Sequence, residues 1–124
     1  MVQRADRGEW SIPGGYADVG WSGAEIALKE VKEEAGIEVR VDALLGEFDA
    51  LRHAGQRIPM YTLLYSCVAT GGQLTRHPNE TQDVAWFSRS ETPTNLWQDG
   101  DPWLELSFNA VEGKPGPVYF EQPR

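Results

Sequence analysis

The chain of 124 residues is 40% hydrophobic and 10% aromatic, enough for one domain with one core and too little for two. Lysine and arginine number 11 against 19 aspartates and glutamates, and the resulting net charge of −8 removes the general attraction that binding to a nucleic-acid backbone requires. No stretch approaches the roughly 20 consecutive apolar residues of a membrane span and no signal peptide follows Met1, so neither nucleic acid nor a membrane is an expected partner and the expected location is cytoplasmic.

Met1 to Arg4 reads as the end of a strand whose beginning is absent, and Trp10 to Pro13 as a short extended segment closed by Pro13 and the pair Gly14-Gly15. Ser22 and Glu25 have the spacing of a capping box and Gly36 is the next stop, which predicts one helix from Gly23 to Ala35. At about 100° per residue its core stripe is Ala24, Ala27, Leu28, Val31 and Ala35, with Ile26 left on the opposite side. Strands are predicted at Glu38 to Asp49, Pro59 to Ala69 and Asp83 to Ser88. In the second of these every odd position from Tyr61 to Ala69 is apolar, with Thr62 and Ser66 among the even ones, which suits a sheet with one better-buried face, and Cys67 reads as a small buried residue; Thr70 to Gln73 reads as a hairpin turn. A last helix is expected between Asp101 and Gly113, with Trp103, Leu106, Ala110 and Val111 as its apolar stripe, before a short Val118 to Phe120 segment. Trp10, Trp86 and Trp103 are expected in the core. This order predicts an α/β (α+β) sandwich, a single domain over residues 1–124 with a mixed sheet packed between helices and its N-terminal strand or strands missing.

Glu30, Glu33 and Glu34 stand at i, i+3 and i+4, so three carboxylates share one side of the helix, where like charges cost a few tenths of a kcal/mol per pair. A bound divalent cation reverses the sign of that effect, because Mg²⁺ takes oxygen ligands, retained waters and substrate phosphates. It also explains how a chain of charge −8 accepts an anionic phosphate ester. The alternative is a solvated acidic face with Lys29 and Lys32 as partial partners.

From Gly15 to Ile37 the residues follow the pattern G-x5-E-x7-R-E-U-x-E-E-x-G-U, with U aliphatic, through Gly15 and the run Lys29-Glu30-Val31-Lys32-Glu33-Glu34-Ala35-Gly36-Ile37. The chain thereby resembles the Nudix hydrolase family, with two departures: Trp21 where the pattern has its first Glu, and Lys29 where it has Arg. Trp21 cannot be a ligand, and Lys29 cannot make the two-pronged contact of a guanidinium. Gly14 to Ser22 with Lys29 to Val31 is similar to the branch containing ADP-ribose and CDP-choline pyrophosphatases, and the likeness continues through His53, Gly71-Gly72 and Glu80 to Phe87. Residues 94–124 show no such likeness.

The resemblance implies a pyrophosphohydrolase that uses Mg²⁺ or Mn²⁺ to cleave a nucleoside diphosphate joined to another group. It implies that Glu30, Glu33, Glu34 and Glu80 are catalytic and hold metal, helped by a main-chain carbonyl at Gly14 or Gly15, and that Glu30 or Glu80 is the general base. Asp18, Trp21 and His53 are the candidate substrate contacts. For Asp18 a turn role competes, and for His53, in the polar stretch Arg52 to Arg57, a plain solvent-exposed loop competes. Two other functions are compatible with the sequence, a nucleoside-triphosphate pyrophosphohydrolase and a non-catalytic ligand-binding module or fragment on the same scaffold. A sheet short of a strand favours completion by a second copy, which makes a homodimer the expected assembly.

Overall fold

A computed structural model of the chain describes residues 1–49 and 59–123. Its contacts divide into two compact units, Met1–Val41 with Cys67–Asp99 and Asp42–Ser66 with Gly100–Arg124.

In the first unit, β1 (Val2–Arg4) is the middle strand of a three-stranded sheet, flanked by β2 (Trp10–Ser11) and β5 (Thr81–Val84). Both pairings are antiparallel, with Val2 opposite Ser11 on one side and opposite Val84 on the other. The register shifts between Gln3 and Arg4, so Arg4 faces Thr81. Val2, Trp10, Ile26, Ala35 and Ile37 form the apolar core of this unit, and the Trp10 ring meets Phe87 edge-on at 4.9 Å.

Helix α1 (Gly23–Ala35) runs between the predicted limits. The Ser22 side chain accepts from the Glu25 amide, Glu25 accepts from the Ser22 amide, and both bonds of the capping box are made. At the other end Gly36 adopts φ 75° and donates its amide to Lys32 O, closing the helix in a left-handed turn that favours glycine. A β-carbon at Gly36 would also lie 2.6 Å from Gln73 O. The buried side of α1 differs from the predicted stripe: Ile26 is only 6% exposed, whereas Leu28 is 39% exposed. Ile26 and Glu30 are one turn apart, so the helix turns the face carrying its carboxylates partly inward instead of presenting it wholly to solvent.

Strand β3 (Ile37–Asp49) is continuous through Asp42, and β4 (Tyr61–Gly72) pairs with it. Gly36 lies against Gly72 and the Ser66 hydroxyl donates to Ala43 O, so the two run antiparallel. Thr70 to Gly72 extend β4 and do not form the predicted hairpin turn. The reason is close approach, since a β-carbon on Gly72 would strike the Gly36 carbonyl. The odd positions of β4 are not its better-buried face: Leu64 is buried, while Tyr61 and Leu63 are exposed and Cys67 is half-buried. Likewise β5 covers Thr81–Val84 and not 83–88, and Trp86 is exposed beyond its end.

In the second unit, Leu45, Phe48, Leu64, Trp103 and Phe108 form the core. Helix α2 (Trp103–Val111) buries Trp103 and Phe108, while Val111, predicted for the apolar stripe, is 80% exposed. After Gly113 the chain returns to β3, where Tyr119 donates to Leu45 O and accepts from the Glu47 amide in a parallel bridge opposite Gly46. Gly46 suits this close approach, because a β-carbon would sit 3.1 Å from that of Tyr119.

Candidate active site

The residues that the sequence singles out gather in the first unit, with one exception: His53 falls outside the described residues. Helix α1 ends with Glu30 and Glu34 half-buried and Glu33 exposed. The turn after β2 brings Gly14 and Gly15 alongside them. The Gly14 amide donates to Glu34 Oε2 at 3.2 Å. At Gly15 a β-carbon would lie 2.5 Å from Glu30 Oε1 and 2.6 Å from its Cδ, so any side chain there displaces the Glu30 carboxylate. The Gly14 contact to Glu34 is made through its N–H.

Crowding and burial set the protonation of this pair. Burial, followed by the Glu33 charge, pushes the Glu30 carboxyl above its ordinary value, with Glu80 adding to the rise. Burial also dominates at Glu34, which is raised to about 7; the Gly14 amide opposes the rise and the charges of Glu30 and Glu80 reinforce it. The two side chains share a hydrogen bond that favours the proton on Glu34 and the charge on Glu30. A carboxyl that carries a proton near neutrality and touches a carboxylate lacks a counter-charge.

Glu80 is exposed on the turn between His77 and Thr81. His77 accepts the Asn79 and Glu80 amides on Nδ1, Thr81 Oγ1 accepts the His77 amide, and the Glu80 carbonyl accepts the Ala5 amide. His77 is thus a turn-forming residue, and the turn holds Glu80 near enough for its charge to act on both Glu30 and Glu34.

Among the described residues, no three histidine, cysteine, aspartate or glutamate side chains converge tightly enough to form a ready-made metal cage. The donor chemistry nevertheless suits a hard divalent ion: two adjacent half-buried carboxyls with raised proton affinity, further carboxylates in electrostatic range, and a glycine turn that leaves Glu30 uncovered. Mg²⁺ keeps several waters and needs few protein ligands, so a complete cage is unnecessary.

Asp18 and Trp21 have other partners. The Asp18 carboxylate accepts from Lys29 Nζ at 2.7 Å, and Lys29 lies 5.9 Å from the ring centre of Trp21, which is 51% exposed. Lys32 reaches Glu38 at 3.4 Å. The ion pairs of both lysines lie outside the acidic cluster, although the Lys29 charge still acts on Glu30. Sequence reasoning missed Arg4, whose charge reaches Glu34 although its guanidinium is paired with Asp6 at 3.0 Å. No sequence signal connects positions thirty residues apart; only strand β1 brings them together. A groove of about 450 Å³, lined by Leu45, Leu106, Tyr119 and Phe120 among others, lies wholly within the second unit and includes none of these groups.

A mixed α/β fold that sets a glycine turn against carboxyl groups at the end of a capped helix defines a class of site suited to cations and the phosphates they bind. The chain belongs to the NUDIX family, whose domain description matches residues 1–106. It is 35% identical over 86 residues to the Bacillus subtilis protein named "Putative ADP-ribose pyrophosphatase YjhB", an overlap of 68% of this chain and 41% of the relative. Two crystal structures are each 30% identical to it and match 97% of its length. One is an ADP-ribose pyrophosphatase from Streptococcus suis 89-1591, at a TM-score of 0.79 and 87% of that chain. The other is a UDP-X diphosphatase, at a TM-score of 0.80 and 59% of that chain. The chain therefore spans about two fifths of the first curated relatives it matches, 41% of one and 39% of the next. No helix among the described residues is long and apolar enough to cross a membrane.

Proposed function

We propose that this chain is a divalent-metal pyrophosphohydrolase that cleaves the diphosphate of a nucleoside diphosphate linked to a second group. The observation that carries the reading is the contact between Gly15 and Glu30 beside the hydrogen-bonded Glu30 and Glu34 carboxyls. The glycine turn borders a half-buried carboxyl pair whose excess proton affinity a cation would relieve. The names of the similar proteins support the substrate class, since both ADP-ribose and UDP-X carry a nucleoside diphosphate joined to another moiety.

Glu30, Glu33 and Glu34 would hold Mg²⁺ or Mn²⁺, with Glu80 adding a further carboxylate. When bound, the ion supplies positive charge against the phosphate oxygens and acidifies water at the site. Hydrolysis then adds one water across the anhydride: a new P–O bond forms, the bridging P–O bond breaks, and the bridging oxygen leaves with its phosphate. The proton lost by the water goes to a carboxylate. Glu30 is the better placed of the two candidates, because it is half-buried and its proton affinity is already raised, whereas Glu80 is exposed. Glu34 keeps Glu30 oriented through their hydrogen bond, and the Gly14 amide fixes Glu34 in turn.

The test is a phosphatase-coupled assay for the phosphomonoesters formed from ADP-ribose, CDP-choline and a UDP-sugar, and for pyrophosphate from a nucleoside triphosphate, with and without Mg²⁺ or Mn²⁺, beside a Glu33→Gln/Glu34→Gln variant. Metal-dependent turnover of the linked diphosphates that the variant loses supports the proposal. Preferential release of pyrophosphate from the triphosphate reassigns the substrate class, and no turnover by a cooperatively folded protein turns the reading toward a binding module.

A further inference from the structure

Where the family pattern has a glutamate and an arginine, this chain has Trp21 and Lys29, and the structure shows what those two residues do together. Lys29 leaves α1 on the side of the preceding loop. Its Nζ bonds Asp18 Oδ2 at 2.7 Å and lies 5.9 Å from the centre of the Trp21 ring. Asp18 and Trp21 are tied to each other through the backbone, the Trp21 amide donating to Asp18 O at 3.2 Å. Ser22 follows directly and begins α1 through its capping box. One ammonium group therefore joins both walls of a single loop turn to the helix that the loop itself starts.

We infer that Asp18, Lys29 and Trp21 form a latch that orders the loop from Gly14 to Ser22 and so holds the glycine turn against Glu30 and Glu34; the catalytic consequence rests on the function proposed above. The consequence arises from how little restrains that loop otherwise. Residues 14–22 are exposed, and among the described residues the hydrogen bonds and ion pairs that tie them to the rest of the unit are the Gly14 amide on Glu34, the cap at Ser22 and the Asp18–Lys29 pair. The turn packs Gly15 beside Glu30, where even a β-carbon would meet the carboxylate, so the placing of the turn bears on the placing of that group. Asp18 thereby supplies the counter-charge for the helix cation from three residues before the position of the pattern's first glutamate. This assigns Asp18 and Lys29 as positioning residues and not as contacts to substrate or metal.

The test is a double-mutant cycle with Asp18→Asn, Lys29→Met and the pair, together with Lys29→Arg, in the full chain. Two readouts are used: kcat and KM for the best linked diphosphate with Mg²⁺, and NMR order parameters of the Val19, Gly20 and Trp21 amides without any ligand. The latch requires that each single variant lose about tenfold in kcat with KM within about twofold. The double variant is then no worse than either single one, because either change opens the same latch. Order parameters fall together in all three, and Lys29→Arg restores both readouts. Losses that multiply in the double variant, or a loss in Asp18→Asn confined to KM, identify Asp18 as a direct contact and overturn the inference. Unchanged order parameters overturn it as well. A wild-type protein that hydrolyses nothing while its loop order depends on the pair retains the latch and refutes the proposed function.

Discussion

Replacing Gly15 with alanine separates the geometry of the site from the stability of the fold. The new β-carbon would lie 2.5 Å from Glu30 Oε1, 2.6 Å from Cδ and 3.0 Å from Oε2. These atoms end a flexible side chain, so the carboxylate retreats by about 0.9 Å to reach ordinary contact near 3.4 Å while the backbone stays in place. Gly15 is not among the glycines with positive φ, and alanine narrows the unfolded ensemble at such a position, so stability changes by no more than about 1 kcal/mol in either direction. A reacting group displaced by about 1 Å costs on the order of 100-fold in rate. The expected outcome is a protein with a wild-type circular dichroism spectrum and a similar urea midpoint, whose metal-dependent kcat is about 100-fold lower. A Gly15→Ala protein within about threefold of the wild-type rate refutes the reasoning, as does a loss that urea titration traces to unfolding.

Four further outcomes follow from the same structure. Glu34 has an ordinary value of 4.5 and is raised to about 7 in the fold. Between those values the native state holds a proton that the unfolded chain has released, so stability falls as pH rises from about 4.5 to 7 and stays lower above that range. One pKa unit corresponds to about 1.4 kcal/mol, and because the site is partly open to solvent, screening reduces the whole effect to about 1–2 kcal/mol. Urea midpoints of the metal-free protein at pH 5 and pH 8 check this, and Glu34→Gln removes the difference. Mg²⁺, which favours the ionised carboxyls, flattens the same profile; a metal-insensitive profile counts against the cation site. Ser22→Ala removes a cap acceptor and is expected to cost about 1 kcal/mol of stability by the same titration. Trp103→Ala empties a site with 0% exposure and is expected to cost about 3–5 kcal/mol, read as a lowered urea midpoint.

Local chemistry made parts of this protein legible in advance. The limits of α1 follow from Ser22, Glu25 and Gly36, because capping and left-handed closure involve residues within a few positions of one another. The spacing of Glu30, Glu33 and Glu34 follows from helical period alone, and with Gly15 it carried the family resemblance that the NUDIX match bears out. Elsewhere the period misled. The stripe drawn on α1 placed Leu28 inside and left Ile26 without a role, whereas Ile26 is buried and Leu28 is exposed. An amphipathic pattern identifies a helix face but not how far the opposite face is covered, and here that coverage also desolvates Glu30 and Glu34.

Interactions short in range are written in the residues themselves: the capped helix, its row of carboxylates, and the glycines on either side. Tertiary structure alone decided which of those groups are buried, that Gly71 and Gly72 continue a strand beside Gly36 and Glu38 instead of turning, and that Asp18 is Lys29's partner. It also brought Arg4 and Glu80 into electrostatic range of Glu34, across separations of 30 and 46 positions. Hydrogen bonds and charges act through space, and the distances they depend on exist only once β1, β5 and α1 have packed into one unit.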